Sequence, residues 1–302
     1  MVRFERKLQI MRVDNVAKFE IKKCPTDYEG KKLNKEKGKE LLKKRIEELA
    51  EIQERFYADG RRALLIIIQA MDAAGKDSTI EKVFSGLNPQ GCEVKNFKAP
   101  TAEELKHDFM WRCLKELPPQ GKIGIFNRSY YEEVLVVKVH PEYLVAQNLP
   151  KEATHNLWEN RYEDIINIEK FLSRNGVVIL KFMLNVSKEE QAKRFIERAT
   201  RAEKNWKVGI YDLKERLLWD KYMKAYNEMI RKTSTDFAPW HIIPADDKWY
   251  AHLRVIDTII ETVEKLDIEY PKPDAKQMVA IQEVKKELNK FLKENKNPNP
   301  TS

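Results

Sequence analysis

Residues 63–78 have the sequence ALLIIIQAMDAAGKDS, in which six consecutive apolar residues lead into a short polar turn. An apolar run of this kind predicts a strand buried on both faces, as in a parallel sheet. The turn ends at Gly75 and Lys76, and a helical pattern follows, which completes the strand–turn–helix context of a phosphate-binding loop. Such a loop presents backbone N–H groups and a helix N-terminus to an anion, and Lys76 adds a mobile positive charge.

The loop departs from the pattern GxxxxGK[ST] at two positions. Ala70 replaces the first glycine, and Asp77 stands where a serine or threonine would bind magnesium, with Ser78 one place later. Asp72 and Asp77 therefore flank the phosphate lysine. Since carboxylates repel phosphate unless a divalent cation lies between them, we predict bound Mg²⁺. The alternative is a strand-to-helix turn with a capping aspartate and no ligand.

The second apolar run that points to the same site ends at Asn127 and Arg128. Ligands of open α/β sheets bind outside the carboxyl ends of the strands, so we expect Arg128 to share a crevice with Lys76. Its planar guanidinium suits a phosphate group. A helix that begins just after Arg128 would place Glu132 in its first turn, within reach of a metal held by Asp72. A surface arginine and an acid favoured by the helix dipole are the alternative.

Candidate strands and helices alternate along the chain, which predicts an α/β fold with a parallel sheet covered by helices on both faces, in three α/β/α layers. We expect one domain over residues 1–302, with an irregular arm at 1–30 and a disordered tail at 295–302. The further predicted strands are 93–97, 123–127, 177–184 and 241–244. The predicted helices are 34–59, 101–116, 130–138, 155–174, 187–203, 211–233, 249–266 and 274–294.

Composition narrows the class of protein. The 302 residues include 56 Lys or Arg and 48 Asp or Glu, for a formal net charge of +8, which favours an anionic partner such as nucleic acid, a phosphorylated substrate or a membrane surface. A solvated basic surface is the alternative. No apolar run approaches the roughly 18 residues of a membrane span, and the first residues lack a signal peptide's apolar stretch, so we expect a cytoplasmic protein. Three scattered cysteines argue against disulfides or structural zinc.

The segment at about 193–216 is rich in basic residues and predicts a lid over the loop. Arg194 and Arg198 are spaced to share one helix face. A lid that closes over phosphate groups must neutralise their charge, which is a role of arginine in phosphoryl transfer. A solvated helix face with intervening acids is the alternative for any single residue.

Taken in order, these motifs resemble those of the family 2 polyphosphate kinases over roughly residues 28–264. The matching segments are 71–77 (MDAAGKD), 87–91 (LNPQG), 97–101 (FKAPT), 111–112 (WR), 126–129 (FNRS), 194–206, 238–240 (APW) and 246–248 (DDK). The resemblance implies a P-loop kinase fold with a helical lid. It also implies reversible, magnesium-dependent transfer of the terminal phosphoryl group of inorganic polyphosphate to AMP or ADP, with Mn²⁺ as an alternative metal.

The resemblance assigns roles position by position. Catalytic roles fall on Asp72, Lys76, Asp77, Arg128 and Arg198, and metal roles on Asp72 and Glu132. Substrate contacts fall on Gly75, Ser78, Lys98, Arg112, Asn127, Arg194, Lys204, Lys207, Asp247 and Lys248.

Asn127 points to a class within the family. Members that mainly phosphorylate ADP usually carry aspartate at this position, and an asparagine followed by Glu132 resembles the class that takes AMP as well as ADP. Ser78 and His252 stand where glycine and arginine are common, which leaves the fine specificity open but not the reaction. Guanine nucleotides are further candidate acceptors, and a homo-oligomer, dimer or tetramer, is implied.

Two other functions remain open at this point. An ATP-dependent nucleoside or nucleotide kinase on the same fold would normally carry a complete GxxxxGK[ST] loop. A non-enzymatic polyanion- or nucleic-acid-binding protein would show salt-sensitive binding that survives the loss of Lys76. Since no recognisable DNA- or RNA-binding module is present, we expect no nucleic-acid partner.

Overall fold

The computed structural model of the protein describes residues 11–14, 16–30 and 33–294. The chain divides into two compact units, residues 1–268 and 269–302, each of which is described by itself. The expected single domain over the whole chain stays a prediction. The predicted tail at 295–302 and the first ten residues of the predicted arm lie outside the described residues.

The first unit is built on a six-stranded sheet with the strand order β1-β6-β5-β2-β4-β3. Five strands are parallel, and the two-residue strand β1 pairs antiparallel with β6 at the edge. The five predicted strands are confirmed to within two residues, whereas β1 was missed because two residues show no period. The strands are Met11–Arg12, Ala63–Ala70, Cys92–Asn96, Ile123–Asn127, Val177–Asn185 and Trp240–Pro244, β1 to β6 in chain order.

The apolar run that opened the sequence forms the middle of this sheet. All eight residues of β2 are buried, and β2 pairs with β5 on one side and β4 on the other. Ligands of such sheets bind at the carboxyl ends of the strands, so the loop after β2 lies where a site is expected. The predicted α/β fold with a parallel sheet is confirmed.

Ten α-helices are found in the described residues. They are Lys35–Asp59, Lys76–Val83, Trp111–Leu114, Val136–Val139, Leu157–Arg174, Lys188–Thr200, Ile210–Leu217, Trp219–Thr233, Lys248–Val263 and Ala275–Glu294, α1 to α10 in chain order. Helices α1, α2 and α9 pack together, as do α5 and α8, with α9 and α5 also packed on the sheet. None of the described helices is long and apolar enough to cross a membrane.

Four predicted helices were wrong in their continuity. The expected helix at 101–116 is a 3₁₀ turn and the short helix α3, because the carboxylate of Asp108 accepts the N–H groups of residues 110 and 111 and starts a new element. The expected helix at 130–138 is a 3₁₀ helix followed by α4. The helix expected at 187–203 ends where Arg201 becomes extended, and that expected at 211–233 is divided at Leu218.

The second unit contains α10. Asp274 precedes the helix and accepts the N–H of Gln277 at 2.7 Å, as a capping side chain does. The apolar residues of this helix are exposed within its own unit.

Candidate active site

The loop between β2 and α2 turns through two residues with positive φ. Ala73 has φ 61° and Gly75 has φ 111°, and the second value explains why glycine stands there. The ammonium of Lys76 turns back over the loop, where it donates to the carbonyl oxygen of Ala70 at 2.7 Å. Its Nζ also lies 4.0 Å from Oδ1 of Asp72. The structure therefore brings the predicted loop lysine and loop acid together.

The surroundings of Lys76 lower the affinity of its amine for a proton. Its side chain is only 10% exposed. Burial, and then the positive charge of Arg128, lower the pKa of Lys76 from 10.5 to about 8, although nearby carboxylates act in the opposite direction. A phosphate group beside Lys76 would favour its protonated form, so the lysine is placed to gain from binding an anion.

Arg128 lies at the end of β4 and joins the predicted acids. Its φ of 65° is unusual for a residue with a side chain and turns the guanidinium toward the loop. One terminal nitrogen donates to Oδ1 of Asp72 at 2.9 Å, and the other to Oε2 of Glu132 at 3.1 Å. The negative charge of Glu132 raises the pKa of Arg128, against the effect of burial. Both predicted metal acids thus share one arginine.

The segment after Arg128 forms the predicted helical start. The hydroxyl of Ser129 accepts the N–H of Tyr131 at 3.2 Å and caps a 3₁₀ helix over Tyr130–Val134. Glu132 lies in the first turn, as the sequence predicted. The amide of Gln69 hydrogen-bonds to the same hydroxyl at 3.1 Å, which ties this start to the end of β2.

Asn127 bridges two neighbouring strand ends. Its amide nitrogen donates to Oδ1 of Asp77 at 2.9 Å and to Oδ1 of Asn96 at 2.7 Å. Asp77, predicted as a loop acid, is thus hydrogen-bonded to the residue at the end of β4. Asn96 was missed, although it ends β3 and lies directly opposite Asn127 in the parallel register. The strand-end rule that indicated Arg128 would have found it.

A cavity of about 660 Å³ opens above the loop and is lined by both signs of charge. It collects most of the predicted site residues, from the loop after β2, α2, the segment after β3, the end of β4, α6, the segment that follows α6 and the start of α9. These are Asp72, Gly75, Lys76, Asp77, Ser78, Lys98, Asn127, Arg128, Arg194, Arg198, Lys204 and Lys248. We call this space the first cavity. Asn96, Phe97, Glu197, Trp206 and Asp212 also line it and were not predicted.

Arg194 supports the loop from below. It is 4% exposed, and its terminal nitrogens donate to four backbone carbonyl oxygens, those of Ala73, Ala74, Ala245 and Asp246, at 2.6 to 3.2 Å. Its Nε donates to Glu190 at 2.9 Å. All five guanidinium N–H groups therefore have protein acceptors. The expected substrate contact of Arg194 stays a prediction, and what the structure shows is a tie between the loop and the start of α9.

The other predicted cations, two in the lid and Lys248 outside it, differ in how they are held. Arg198 lies one turn beyond Arg194 on α6 and faces the first cavity. Lys204 donates to Glu197 at 2.6 Å, so its charge is paired. Burial, and then the charge of Arg194, lower the pKa of Lys248. Cations of this kind gain from an anionic ligand because it supplies the missing counter-charge.

Among the predicted residues whose side chains the structure describes, Glu132, Arg112 and Asp247 do not line the first cavity. Arg112 donates to the backbone oxygen of Lys98 at 2.8 Å and stacks over Phe97 at 5.5 Å. Asp247 precedes α9, accepts the indole N–H of Trp249 at 3.2 Å, and lines neither of the two cavities described here. The side chain of Lys207 lies outside the described part of the chain.

A second cavity of about 480 Å³ adjoins the first and shares Phe97, Lys98 and Arg128 with it. Its further lining exposes mostly apolar surface, but it also includes four carboxylates, a histidine, an arginine and an amide. That lining includes Phe109, Val136, Val137, Tyr143, Arg112, Glu132 and Gln147. The volume falls within the usual range for a small-molecule site. Most of this cavity was missed, because its walls are short 3₁₀ and helical pieces without a readable period.

The acids at the loop fit a metal that phosphate groups help to hold. Among the described residues, no cluster of three or more His, Cys, Asp or Glu side chains is arranged to hold a metal ion alone. Asp72, Asp77 and Glu132 nonetheless line the two adjoining cavities. Mg²⁺ is usually bound through one or two carboxylates together with substrate phosphates rather than in an all-protein cage. The donor set here matches that pattern.

Comparisons with known proteins agree with this geometry. A family model described as Polyphosphate kinase 2 matches residues 32–271. The chain is 45% identical over 286 residues to an ADP-polyphosphate phosphotransferase of Rhodopseudomonas palustris, covering 94% of this chain and 99% of that protein. It is 43% identical over 267 residues to an AMP/ADP-polyphosphate phosphotransferase of Meiothermus ruber, covering 87% and 95%.

A solved structure resembles the fold closely. The crystal structure of polyphosphate kinase 2 from Arthrobacter aurescens superposes with a TM-score of 0.78 and 38% sequence identity, covering 91% of this chain and 95% of that one. The likeness confirms the expected P-loop kinase fold, and the matched residues include the loop, the end of β4 and α6. The chain therefore belongs to the polyphosphate kinase 2 family.

Proposed function

We propose that the protein transfers the terminal phosphoryl group of inorganic polyphosphate to AMP and ADP in a reversible reaction that needs Mg²⁺. The observation that carries the proposal is that two cavities of different chemistry meet at Arg128. One is rich in cations suited to a chain of phosphates, and the other exposes mostly apolar surface suited to a nucleoside. The names of the two relatives, an ADP-polyphosphate and an AMP/ADP-polyphosphate phosphotransferase, support the same pair of substrates.

The first cavity suits the polyphosphate donor. Several of the cationic side chains that line it can bind successive phosphates of a repeating anion, among them Lys76, Arg128, Arg198, Lys204 and Lys248. Such contacts recognise phosphate charge and need no nucleobase. The donor's terminal phosphate would lie against Lys76, where backbone N–H groups and the start of α2 also favour an anion. This arrangement explains the basic net charge without a nucleic-acid partner.

The second cavity suits the acceptor nucleotide. Aromatic side chains such as Phe97, Phe109 and Tyr143 can pack on a base, and the opening at Arg128 directs the nucleotide's phosphate toward the donor. Guanine nucleotides are further candidate acceptors, because the lining offers flat apolar surface that any purine can contact.

The reaction we propose is an in-line displacement. An ionised oxygen of the acceptor's terminal phosphate forms a bond to the donor's terminal phosphorus. The bond from that phosphorus to the next bridging oxygen breaks, which leaves a chain one phosphate shorter. Lys76, Arg128 and Arg198 stabilise the charge on the transferring group. No general base is needed, since the attacking oxygen is already ionised at neutral pH.

Asp72 and Glu132 are the residues that would hold Mg²⁺, with Asp77 nearby; Mn²⁺ is the alternative. When bound, the metal supplies positive charge that neutralises the phosphates and brings donor and acceptor together. The salt bridges of Arg128 hold Asp72 and Glu132 on one side of the phosphate position before any ligand enters.

The test is a chromatographic nucleotide assay with purified protein, Mg²⁺, long-chain polyphosphate and AMP, and no ATP. We expect ADP to appear first and ATP second, which supports polyphosphate as donor and the acceptance of both nucleotides that Asn127 favours. Conversion of ADP but not AMP would contradict only the broader acceptor range. Turnover with ATP as the donor and none with polyphosphate would favour the alternative, an ATP-dependent nucleotide kinase.

One variant and one metal-removal experiment make the assay sharper. Asp72→Asn with full turnover would contradict the assignment of Asp72 to metal or phosphate positioning. A chelator should abolish turnover of the unaltered enzyme, and Mg²⁺ and Mn²⁺ are then added back separately.

We also propose a cytoplasmic homo-oligomer, a dimer or a tetramer, for which the family resemblance is the support. Light scattering after size-exclusion chromatography measures that state.

A further inference from the structure

His140 joins two short elements that both line the second cavity. It follows α4, which lines the second cavity, and precedes the 3₁₀ segment Pro141–Gln147, which forms another wall of that cavity. Its side chain is 15% exposed and stacks on the ring of Tyr143 with centroids 5.3 Å apart. A change at His140 is therefore transmitted directly to the acceptor wall.

The imidazole of His140 also contacts α7, a helix that lines the first cavity. Nε2 of His140 lies 3.0 Å from Oε2 of Glu215 on α7, and the hydroxyl of Tyr222 donates to the same oxygen at 2.6 Å. Helix α7 lines the first cavity through Asp212. One imidazole thus joins a wall of the donor cavity to a wall of the acceptor cavity.

Both ring nitrogens of His140 face carboxylates. Nδ1 lies 3.0 Å from Oε1 of Glu142, opposite the contact with Glu215. An imidazole can donate from both nitrogens only when it is protonated, so this geometry requires the cation for two good hydrogen bonds. The neutral ring would leave one carboxylate facing a lone pair.

From this geometry we propose that protonated His140 is a positioning residue, which couples binding of polyphosphate in the first cavity to binding of nucleotide in the second. The proposal rests on the proposed function for the identity of the two ligands. Closing α7 over a donor would pull on Glu215, and His140 would pass that movement to residues 141–147. Neither substrate touches His140, so its effect is on their mutual affinity.

The titratable and charged groups around His140 set the direction of the pH effect. They are Glu142, Tyr143, Glu215 and Tyr222, with Lys221 acting on Glu142. Burial lowers the pKa of His140, but the hydrogen bonds to Glu215 and Glu142 outweigh it and raise the pKa above 6.5. A raised folded-state pKa means that the link is complete below pH 6.5 and is lost as pH rises through the raised value.

Substrate synergy is the first test. For the unaltered enzyme at pH 6.5, we expect the KM for AMP at saturating polyphosphate to be about five- to tenfold lower than the KM for AMP at a polyphosphate concentration well below saturation. This difference should fade at alkaline pH. His140→Gln should remove the synergy at every pH, while His140→Arg, which stays charged, should keep it at every pH. His155→Gln, a change at an exposed histidine in neither cavity, is the matched control.

Hydrogen exchange is the second test, and it does not depend on turnover. In His140→Gln at pH 6.5, we expect residues 210–217 and 141–147 to exchange about tenfold faster than in the unaltered protein. Glu215→Gln should give the same result if His140→Gln does not fold. Equal synergy and equal exchange in variant and unaltered protein would overturn the link. An unaltered enzyme without polyphosphate-dependent turnover would instead contradict the proposed function, and exchange would still decide the link.

Discussion

Lys181 and Lys76 are both largely enclosed by the protein, but only one of them has all its protons bound by protein acceptors. Lys181, in the middle of β5, is 0% exposed and donates to Glu169 at 2.6 Å, to the hydroxyl of Tyr131 at 2.8 Å and to the backbone oxygen of Thr233 at 2.8 Å. Its three protons are fully used within the protein. No position remains for a ligand.

Lys76 is buried almost as deeply but is incompletely paired. Its close acceptors are backbone carbonyl oxygens, and Asp72, its nearest carboxylate in the first cavity, is already bound by Arg128 at 2.9 Å. Burial lowers the pKa of both lysines, yet only Lys76 lines a cavity. The comparison shows that a buried cation is available for an anionic ligand when the protein leaves part of its charge unpaired.

The surroundings of the two lysines are connected through the segment that follows Arg128. The hydroxyls of Tyr130 and Tyr131 donate to Glu169 at 2.9 and 2.7 Å, and these tyrosines follow the Arg128–Ser129 turn directly. The closed network around Lys181 therefore anchors the segment that carries Arg128 to the site. A rigid element beneath a binding site is what precise positioning of charge requires.

The largest effect that would separate the two lysines is expected from Lys76→Met. We expect kcat/KM for polyphosphate to fall by about 10³-fold, because a charge on the transferring phosphoryl group loses its partner in a water-poor site. The thermal midpoint should stay the same or rise, since a desolvated cation is removed. Lys82→Met, on the exposed side of the same helix, is the control and should keep its activity. Turnover near that of the control would place Lys76 outside the chemistry.

Lys181→Met should lower the stability of the protein, in contrast to Lys76→Met. Removing the cation leaves Glu169 buried without its counter-charge, so we expect the free energy of unfolding in urea to fall by about 3–5 kcal/mol. Adding Glu169→Gln should recover part of this loss, because the neutral amide carries no uncompensated charge. If the double variant were as unstable as the sum of the two single variants, the pair would not be coupled.

Arg194 and Arg198 extend the comparison to α6. Arg194→Ala removes five donors from the loop and its surroundings, so we expect a loss of about 2–3 kcal/mol in stability together with lower kcat. Arg198→Ala should lower kcat/KM for polyphosphate with little change in stability, since this side chain faces the first cavity and is proposed to stabilise the transferring group. Urea unfolding and steady-state kinetics on both variants measure the difference. A stable, normally active Arg194→Ala would contradict its role as a tie.

How much could be predicted from the sequence depends on how far apart along the chain the interacting residues lie. The run at 63–70, the loop and the residues at the end of β4 are local patterns, and the parallel sheet then places Lys76 and Arg128 together. The same rule was not applied to Asn96, whose signal was present. Other features were out of reach: the five acceptors of Arg194 come from segments up to 121 residues away, and no periodicity marks them.

The second cavity shows the same limit. Its walls combine residues 97–112 with residues 128–147, where the helices expected at 101–116 and 130–138 are broken into short pieces. Side chains such as Asp108 and Ser129 decide those breaks by competing for backbone N–H groups. Hydrophobic spacing alone cannot show where this competition succeeds, so a continuous helix was expected where a ligand-sized space exists.

The smallest effect that distinguishes the two lysines is in the pH profile. Lys76 must be protonated to bind phosphate, and burial together with Arg128 lowers its pKa to about 8, so kcat/KM for polyphosphate should fall as pH rises through about 8. The fall in kcat should come at higher pH, because bound phosphate favours the protonated lysine. Lys76→Arg, if active, should lose this alkaline fall, since guanidinium stays protonated throughout. A fall that is unchanged in Lys76→Arg would assign the titration to another group, while the closed network at Lys181 has no route by which to produce it.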